Sequence, residues 1–321
     1  MVTGSYDGTL RLWDLKTGVV LKKMEGHRSR VRALAVSPDG EWIASGDESG
    51  ELIIWHGKTG EPFNQAINKA HDSWIFSLDF SSDSRMLASG SSDTTTKLWS
   101  TSSWQVHHTL SCSGIVRCVQ YAPRPRYSQA LLAIATDCNV QIYQNYTSDR
   151  SNSGYHRWNR TQLPSQLPPS PPPPPPPPPP FPTQLLQTIW GEFNYSLAWT
   201  PDGTQLLLGG NGVDPTIRAW DTLTWQQVDG PWMGHFKTIH AISLNSSGTF
   251  LASASHDNCV RLWRLSDRRN IAIFKHSGEL NCVTFSAGDK HTSSVEVRIK
   301  RSRSGQYPRM LCQRMVQLMA S

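Results

Sequence analysis

Short apolar or alternating runs, each closed by a turn rich in Gly, Pro, Asp or Ser, follow one another along most of the chain. VRALAV at 31–36 alternates and keeps small apolar residues on one face, as a strand beside a crowded axis requires. EWIASG, LIIWHG and PFNQAI follow it, with turns such as SPDG and KTG between them, so 27–68 predicts four short antiparallel strands. IFSLDF, RMLASG, TKLWS and QVHHTL repeat the arrangement over 71–110, and the same grammar is legible over 112–143, 194–228 and 235–274. The chain opens on three runs only, VTGS, LRLWDL and VVLKKM, and therefore inside a unit.

Four side chains recur in these units at fixed spacing. His235 is followed by Ser253, Asp257 and Trp263, and His71 is followed at the same offsets by Ser89, Asp93 and Trp99. Such strict repetition is the mark of stacked supersecondary units. His27 repeats the frame with Ser45 and Trp55, but Ser49 stands where Asp is expected. The opening stretch supplies Thr3, Asp7 and Trp13 and lacks the histidine. Between 112 and 143, Cys112 and Ala133 replace His and Ser, Asp137 is read as the retained carboxylate, and Tyr143 replaces Trp. Asp214 and Trp220 survive in the next unit, with Trp190 and Gly210 in the places of His and Ser.

Two stretches leave the pattern. The run from 147 to 183 contains ten consecutive prolines, Pro171 to Pro180, which no ladder strand can hold. It predicts a disordered, Pro-rich, low-complexity insertion between the third and fourth strands of one unit. His276 opens a further unit, yet Arg298 and Ser304 stand where the frame demands Asp and Trp. Residues 290–321 are read as a basic tail, disordered or frame-shifted, in which 292–299 alternate well enough to pair as a makeshift strand.

The period of about 40–45 residues, the Gly-His pairs at 26–27 and 234–235, and LWD at 12–14 and AWD at 219–221 resemble the WD-repeat β-propeller family. The resemblance covers residues 1–290 apart from the insertion. It implies an all-β propeller of four-stranded antiparallel blades over 1–289, from a seven-bladed parent truncated at both ends. The alternatives are six closed blades or an open ring. It also implies that His, Ser, Asp and Trp form a hydrogen-bonded tetrad in each complete blade.

Composition changes this picture little. The net charge of +6 invites a nucleic-acid reading, but seven Lys/Arg against Glu296 lie from Lys290 onward, and residues 1–289 balance to zero. The charge pattern argues against a dedicated nucleic-acid face. No run approaches the length of a membrane span, and MVTGSYDG has no signal-peptide character, so an intracellular protein, cytoplasmic or nuclear, is expected. Six cysteines without C-x-x-C spacing indicate neither a disulfide framework nor a metal site, and no cofactor motif is present.

Ser, His and Asp recurring together raise the thought of a hydrolase triad. Repetition in several units, each completed by Trp, makes them structural instead, because a nucleophile site is singular; no enzyme is expected. The resemblance implies an interaction platform whose narrow face docks other proteins or peptides. By frame, the residues before each innermost strand are Arg30, Trp74, Ile115, Phe193, Thr238 and Glu279. Those before each turn Asp are Tyr6, Glu48, Ser92, Thr136, Val213 and His256. These twelve are the expected contact residues. A second candidate is an adaptor, the polyproline rod at Pro171 to Pro180 recruiting proline-reading domains. A third is a ubiquitin-ligase substrate receptor, for which Trp13, Asp14, Leu15 and Lys16 only approximate the docking motif.

Overall fold

A computed structural model describes residues 2–14, 17–63, 67, 69–123, 129–146, 183–191, 196–278, 280, 283–285, 295–297 and 313–315. Every regular element among them is a β-strand, and the strands form seven antiparallel sheets in chain order. The first holds β1 (Val2–Gly4), β2 (Thr9–Trp13) and β3 (Val20–Glu25); the second holds β4 (Val31–Val36), β5 (Trp42–Asp47) and β6 (Leu52–His56). Bridges from Leu52 to Ile67 and from Trp55 to Pro62 occupy the fourth place of the second sheet. The third is β7 (Ile75–Phe80), β8 (Met86–Ser91), β9 (Thr95–Ser100) and β10 (Val106–Ser111). The fourth is β11 (Val116–Tyr121), β12 (Gln129–Thr136), β13 (Asn139–Tyr146) and β14 (Thr183–Trp190). The fifth comprises β15 (Ser196–Trp199), β16 (Gln205–Gly209), β17 (Ile217–Asp221) and β18 (Gln227–Trp232). The sixth comprises β19 (Ile239–Leu244), β20 (Phe250–Ser255), β21 (Cys259–Arg264) and β22 (Asn270–Lys275). The seventh is β23 (Thr284–Phe285), β24 (Val295–Val297) and β25 (Gln313–Met315).

The leading strands stack side by side, β4 on β7, β7 on β11, β11 on β15, β15 on β19 and β19 on β23. This is a β-propeller of antiparallel blades. No blade buries its apolar face alone, because each core cluster is shared by two consecutive sheets. Leu10 and Met24 of the first pack with Val31, Ile43, Ile53 and Trp55 of the second; Ala44, Leu52 and Ile54 of the second pack with Ile75, Leu87 and Trp99 of the third. The approach is close enough to demand glycine. A Cβ on Gly46 would lie 2.6 Å from Ile75, and one on Gly90 would lie 2.5 Å from Val116.

The turns between first and second strands share one device. Ser37, Ser81 and Thr200 each donate to the Asp two residues on and accept the amide five residues on, so the hydroxyl replaces a missing ladder partner. Asn145 of β13 pairs with Thr183 of β14, so the proline-rich stretch connects the two outermost strands of the fourth sheet. Residues 147–182 themselves lie outside the described residues. Among the described residues β23 pairs with β24 and belongs to a different sheet from β1; the six-blade alternative needed it beside β1. No helix there is long and apolar enough to cross a membrane.

Candidate interaction site

In the third sheet His71 joins two neighbours. Its Nδ1 lies 2.8 Å from Asp93 Oδ2 and its Nε2 lies 2.7 Å from Ser89 Oγ, which also accepts the Trp99 indole N–H at 2.8 Å. The sixth sheet repeats this with His235, Asp257, Ser253 and Trp263 at 2.7, 2.7 and 2.8 Å. Both imidazoles are fully buried. Burial holds the His71 pKa below its ordinary value, against the pull of Asp93. The Asp93 carboxyl is held low although burial opposes it, by the Thr95 hydroxyl and by His71. The tetrads satisfy groups that would each cost about 1–3 kcal/mol if buried unpaired.

Above the tetrads, the loops of the first three sheets enclose a cleft of about 450 Å³ lined by Tyr6, Asp7, Gly8, Arg28, Ser29, Arg30, Glu48 and Trp74. Arg30 lies 5.3 Å from the Tyr6 ring centroid, and Arg32 lies 5.1 Å from Tyr6 and 5.0 Å from Trp74, within cation–π range. Arg32 Nε donates to Glu48 Oε1 at 2.7 Å and its Nη1 to the Tyr6 hydroxyl at 3.1 Å. The arginine therefore locks three cleft walls together while Tyr6 and Trp74 each stay 40% exposed. The two sets of expected contact residues meet through the backbone. Glu48 N–H donates to Arg30 C=O, Ser92 to Trp74 and His256 to Thr238.

The family description "WD domain, G-beta repeat" matches residues 1–14, 18–56, 64–100 and 228–264, which include the tetrad residues of the second, third and sixth sheets. The chain is a WD-repeat protein. It is 25% identical to WD repeat-containing protein 1 of Xenopus tropicalis over 291 residues, 90% of this chain and 42% of that one. It is 30% identical to Target of rapamycin complex subunit LST8 of Mus musculus over 117 residues, 35% of this chain and 36% of that one. It is 37% identical to human Transducin beta-like protein 2 over 108 residues, 32% of this chain and 24% of that one. The chain thus spans less than half the length of each of these relatives. WD-repeat proteins are in general non-catalytic, and membership supports a protein-interaction role in general.

Several WD-repeat positions differ from the sequence expectation. The second sheet holds a complete tetrad, because Asp47 Oδ2 lies 3.1 Å from His27 Nδ1 while Ser45 Oγ takes Nε2 at 2.6 Å and Trp55 at 2.8 Å. Ser49, in the expected place of Asp, donates to Asp47 instead. Asp137 is no tetrad member. The turn between β12 and β13 is one residue shorter than that between β8 and β9, so Thr136 pairs with Val116 as Ser91 does with Ile75. Asp137 moves up to the face, where Arg117 Nε donates to it at 2.8 Å, as Arg32 does to Glu48. Thr136, expected on the face, is wholly buried and donates to the Asn139 carbonyl. By register Ile134 and Leu208, both fully buried, occupy the serine place in the fourth and fifth sheets, and Tyr143 packs in the core there as the Trp counterpart.

Where no histidine faces it, the carboxylate turns to an arginine four residues on. Arg11 holds Asp7 and Arg218 holds Asp214, each at 2.8 Å, while Thr3 still accepts the Trp13 indole N–H at 2.8 Å. Phe193 and Glu279 lie outside the described residues; Val213 is 81% exposed, and Ile115 is half-buried. Sequence reasoning missed Arg32, Phe76, Arg117 and His240, each the second residue of its leading strand. Each crosses to the face residue of its own sheet or a neighbour: Arg117 sits 5.0 Å over Phe76, and the rings of His240 and His256 lie 3.7 Å apart. The recurring VR, IF, VR and IH at strand starts was the signal available.

Proposed function

We propose that this WD-repeat chain is a non-catalytic scaffold that docks peptides or domains on the propeller face, with the cleft between Tyr6, Arg30 and Trp74 as its main contact. The observation that carries the reading is the charge arrangement around exposed aromatics. The cleft's two carboxylates are already engaged, Asp7 by Arg11 and Glu48 by Arg32. Arg28 and Arg30 have no ion-pair partner among the described residues, and they stand beside Tyr6 and Trp74. Exposed Tyr, Trp and Arg around a cleft are the residue types that dominate binding energy. An acidic segment carrying one apolar side chain fits such a cleft. The mouse relative's name, a complex subunit, supports protein partners. Residues from Val2 to Met315 would supply the propeller's sheets, with 147–182 joining β13 to β14; Thr183, Val295–Val297 and Gln313–Met315, expected outside it, pair as strands.

A photo-cross-linking residue at Trp74 should capture partner protein, the same residue at Leu21 on exposed β3 should not, and Arg30→Glu should abolish the Trp74 capture. Equal capture at both sites would end the reading. A second reading, a polyproline adaptor, draws support from the ten prolines and from the exit of that stretch between two outer strands. Deleting 150–182 should then remove binding of a purified Src-homology-3 domain and leave the cleft's partner bound.

A further inference from the structure

We propose that His27, Asp47 and Glu51 form a buried divalent-cation site whose donor set suits zinc. In the third sheet the residues 20, 22 and 24 after the histidine are Ser91, Asp93 and Thr95, and in the sixth they are Ser255, Asp257 and Cys259. The second sheet exchanges the first two, as Asp47 and Ser49, and places Glu51 third. Two carboxylates therefore converge on one imidazole edge where its counterparts meet one. Asp47 Oδ2 lies 3.1 Å and Glu51 Oε2 3.7 Å from His27 Nδ1, and the three donor atoms lie within 4.8 Å of one another.

Everything around these atoms is otherwise committed. Asp47 Oδ1 accepts the Ser49 N–H, the Ser49 hydroxyl and the Glu51 N–H, which leaves Oδ2 directed at the ring. Glu51 Oε2 is buried without a hydrogen-bond partner, and its side chain is 9% exposed. The only ion pairs of either carboxylate among the described residues are with His27. Glu51 Oε2 therefore stands buried beside the ring with no donor of its own, a penalty that a dication would cancel.

The geometry suits a small tetrahedral ion. Bonds of about 2.0–2.1 Å set donor separations of about 3.3 Å, and the two measured separations bracket that value. Ser45 Oγ, 2.6 Å from Nε2 and anchored by Trp55, can hold the Nε2–H tautomer that frees Nδ1 for a metal. One nitrogen and two oxygens without a thiolate suit zinc.

The test uses the full chain stripped with chelator, titrated with zinc chloride in a calorimeter and then melted with and without the metal. One saturable site that raises the melting temperature is expected, with affinity falling at least about a hundredfold in Glu51→Gln. Stripped Glu51→Gln should melt no lower than the stripped parent, since without its cation the buried carboxylate is a cost. Absence of saturable binding, binding that survives both Glu51→Gln and Asp47→Asn, or a lower melting temperature in stripped Glu51→Gln would overturn the proposal. The last result would show Glu51 to be an ordinary stabilising partner of His27.

Discussion

The second and third sheets build one hydrogen-bonded tetrad from two different sequences. In the third, the carboxylate on the ring comes 22 residues after His71, from the turn beyond β8; in the second it comes 20 residues after His27, from the last residue of β5. The serine follows the exchange, since Ser91 accepts the Asp93 N–H whereas Ser49 donates its own N–H to Asp47. The fold thus keeps an oxygen at the imidazole Nδ1 and a hydroxyl tying Nε2 to an indole, whichever residue supplies the oxygen. The fourth and fifth sheets show the other solution. With Ile134 and Leu208 in the serine place, the polar link is gone and apolar contact across consecutive sheets takes over.

The largest effect should come from orphaning a carboxylate in a regular tetrad. His235→Ala and His71→Ala should each cost about 3 kcal/mol, because a buried Asp loses its partner. Urea unfolding checks this, and a cost under about 1 kcal/mol would mean the tetrads do not carry register. Asp47→Ala should cost about 2 kcal/mol and Ser49→Ala less than half as much; the reverse order would restore Ser49 to the role the spacing assigned it.

Protonation acts in opposite senses at two places in the third sheet. His71 has its pKa lowered from 6.5, so the stability it contributes is present above that value and is lost as pH falls below it; the Asp93 carboxyl, lowered from 3.8, adds a further loss below pH 3.8. Asp79 on β7 behaves in the opposite sense. Burial pushes it up to about 7 although it accepts the Tyr121 N–H of the next sheet at 2.6 Å, so its contribution is full below 3.8 and is lost as pH rises through 7. Asp79→Asn should therefore flatten the neutral side of the melting-temperature profile and leave the acid side unchanged. An unchanged neutral side would contradict the placement of Asp79. Smallest of all, Cys112→Ala, at the His71 counterpart in a sheet without a tetrad, should cost about 1 kcal/mol or less in the same urea assay.

The strand grammar and the tetrads of His71 and His235 were legible because alternation and fixed offsets report backbone geometry directly. The fate of Asp47 was not, since an exchange of two neighbours keeps the chemistry but breaks the spacing. Asp137 was misplaced for a related reason: a turn shortened by one residue carries its carboxylate from the interior to the face, and counting back from Tyr143 cannot see the deletion. Thr136 failed by the same one-residue slip. The frame singled out Tyr6, Arg30, Glu48 and Trp74, which the fold brings to one cleft, but Arg28 and Arg32 lie outside its two positions. The contacts of Arg32 draw on Tyr6, Glu48 and Trp74 of three different sheets, which no single unit of sequence contains.

The measurement that most directly tests whether geometry rather than position holds a blade is urea unfolding of the second sheet with its exchanged pair reversed. Asp47→Ser should lose about 2 kcal/mol, and Asp47→Ser combined with Ser49→Asp should regain most of it, because the carboxylate then approaches His27 by the route Asp93 takes to His71. A double variant no more stable than Asp47→Ser alone would contradict the account.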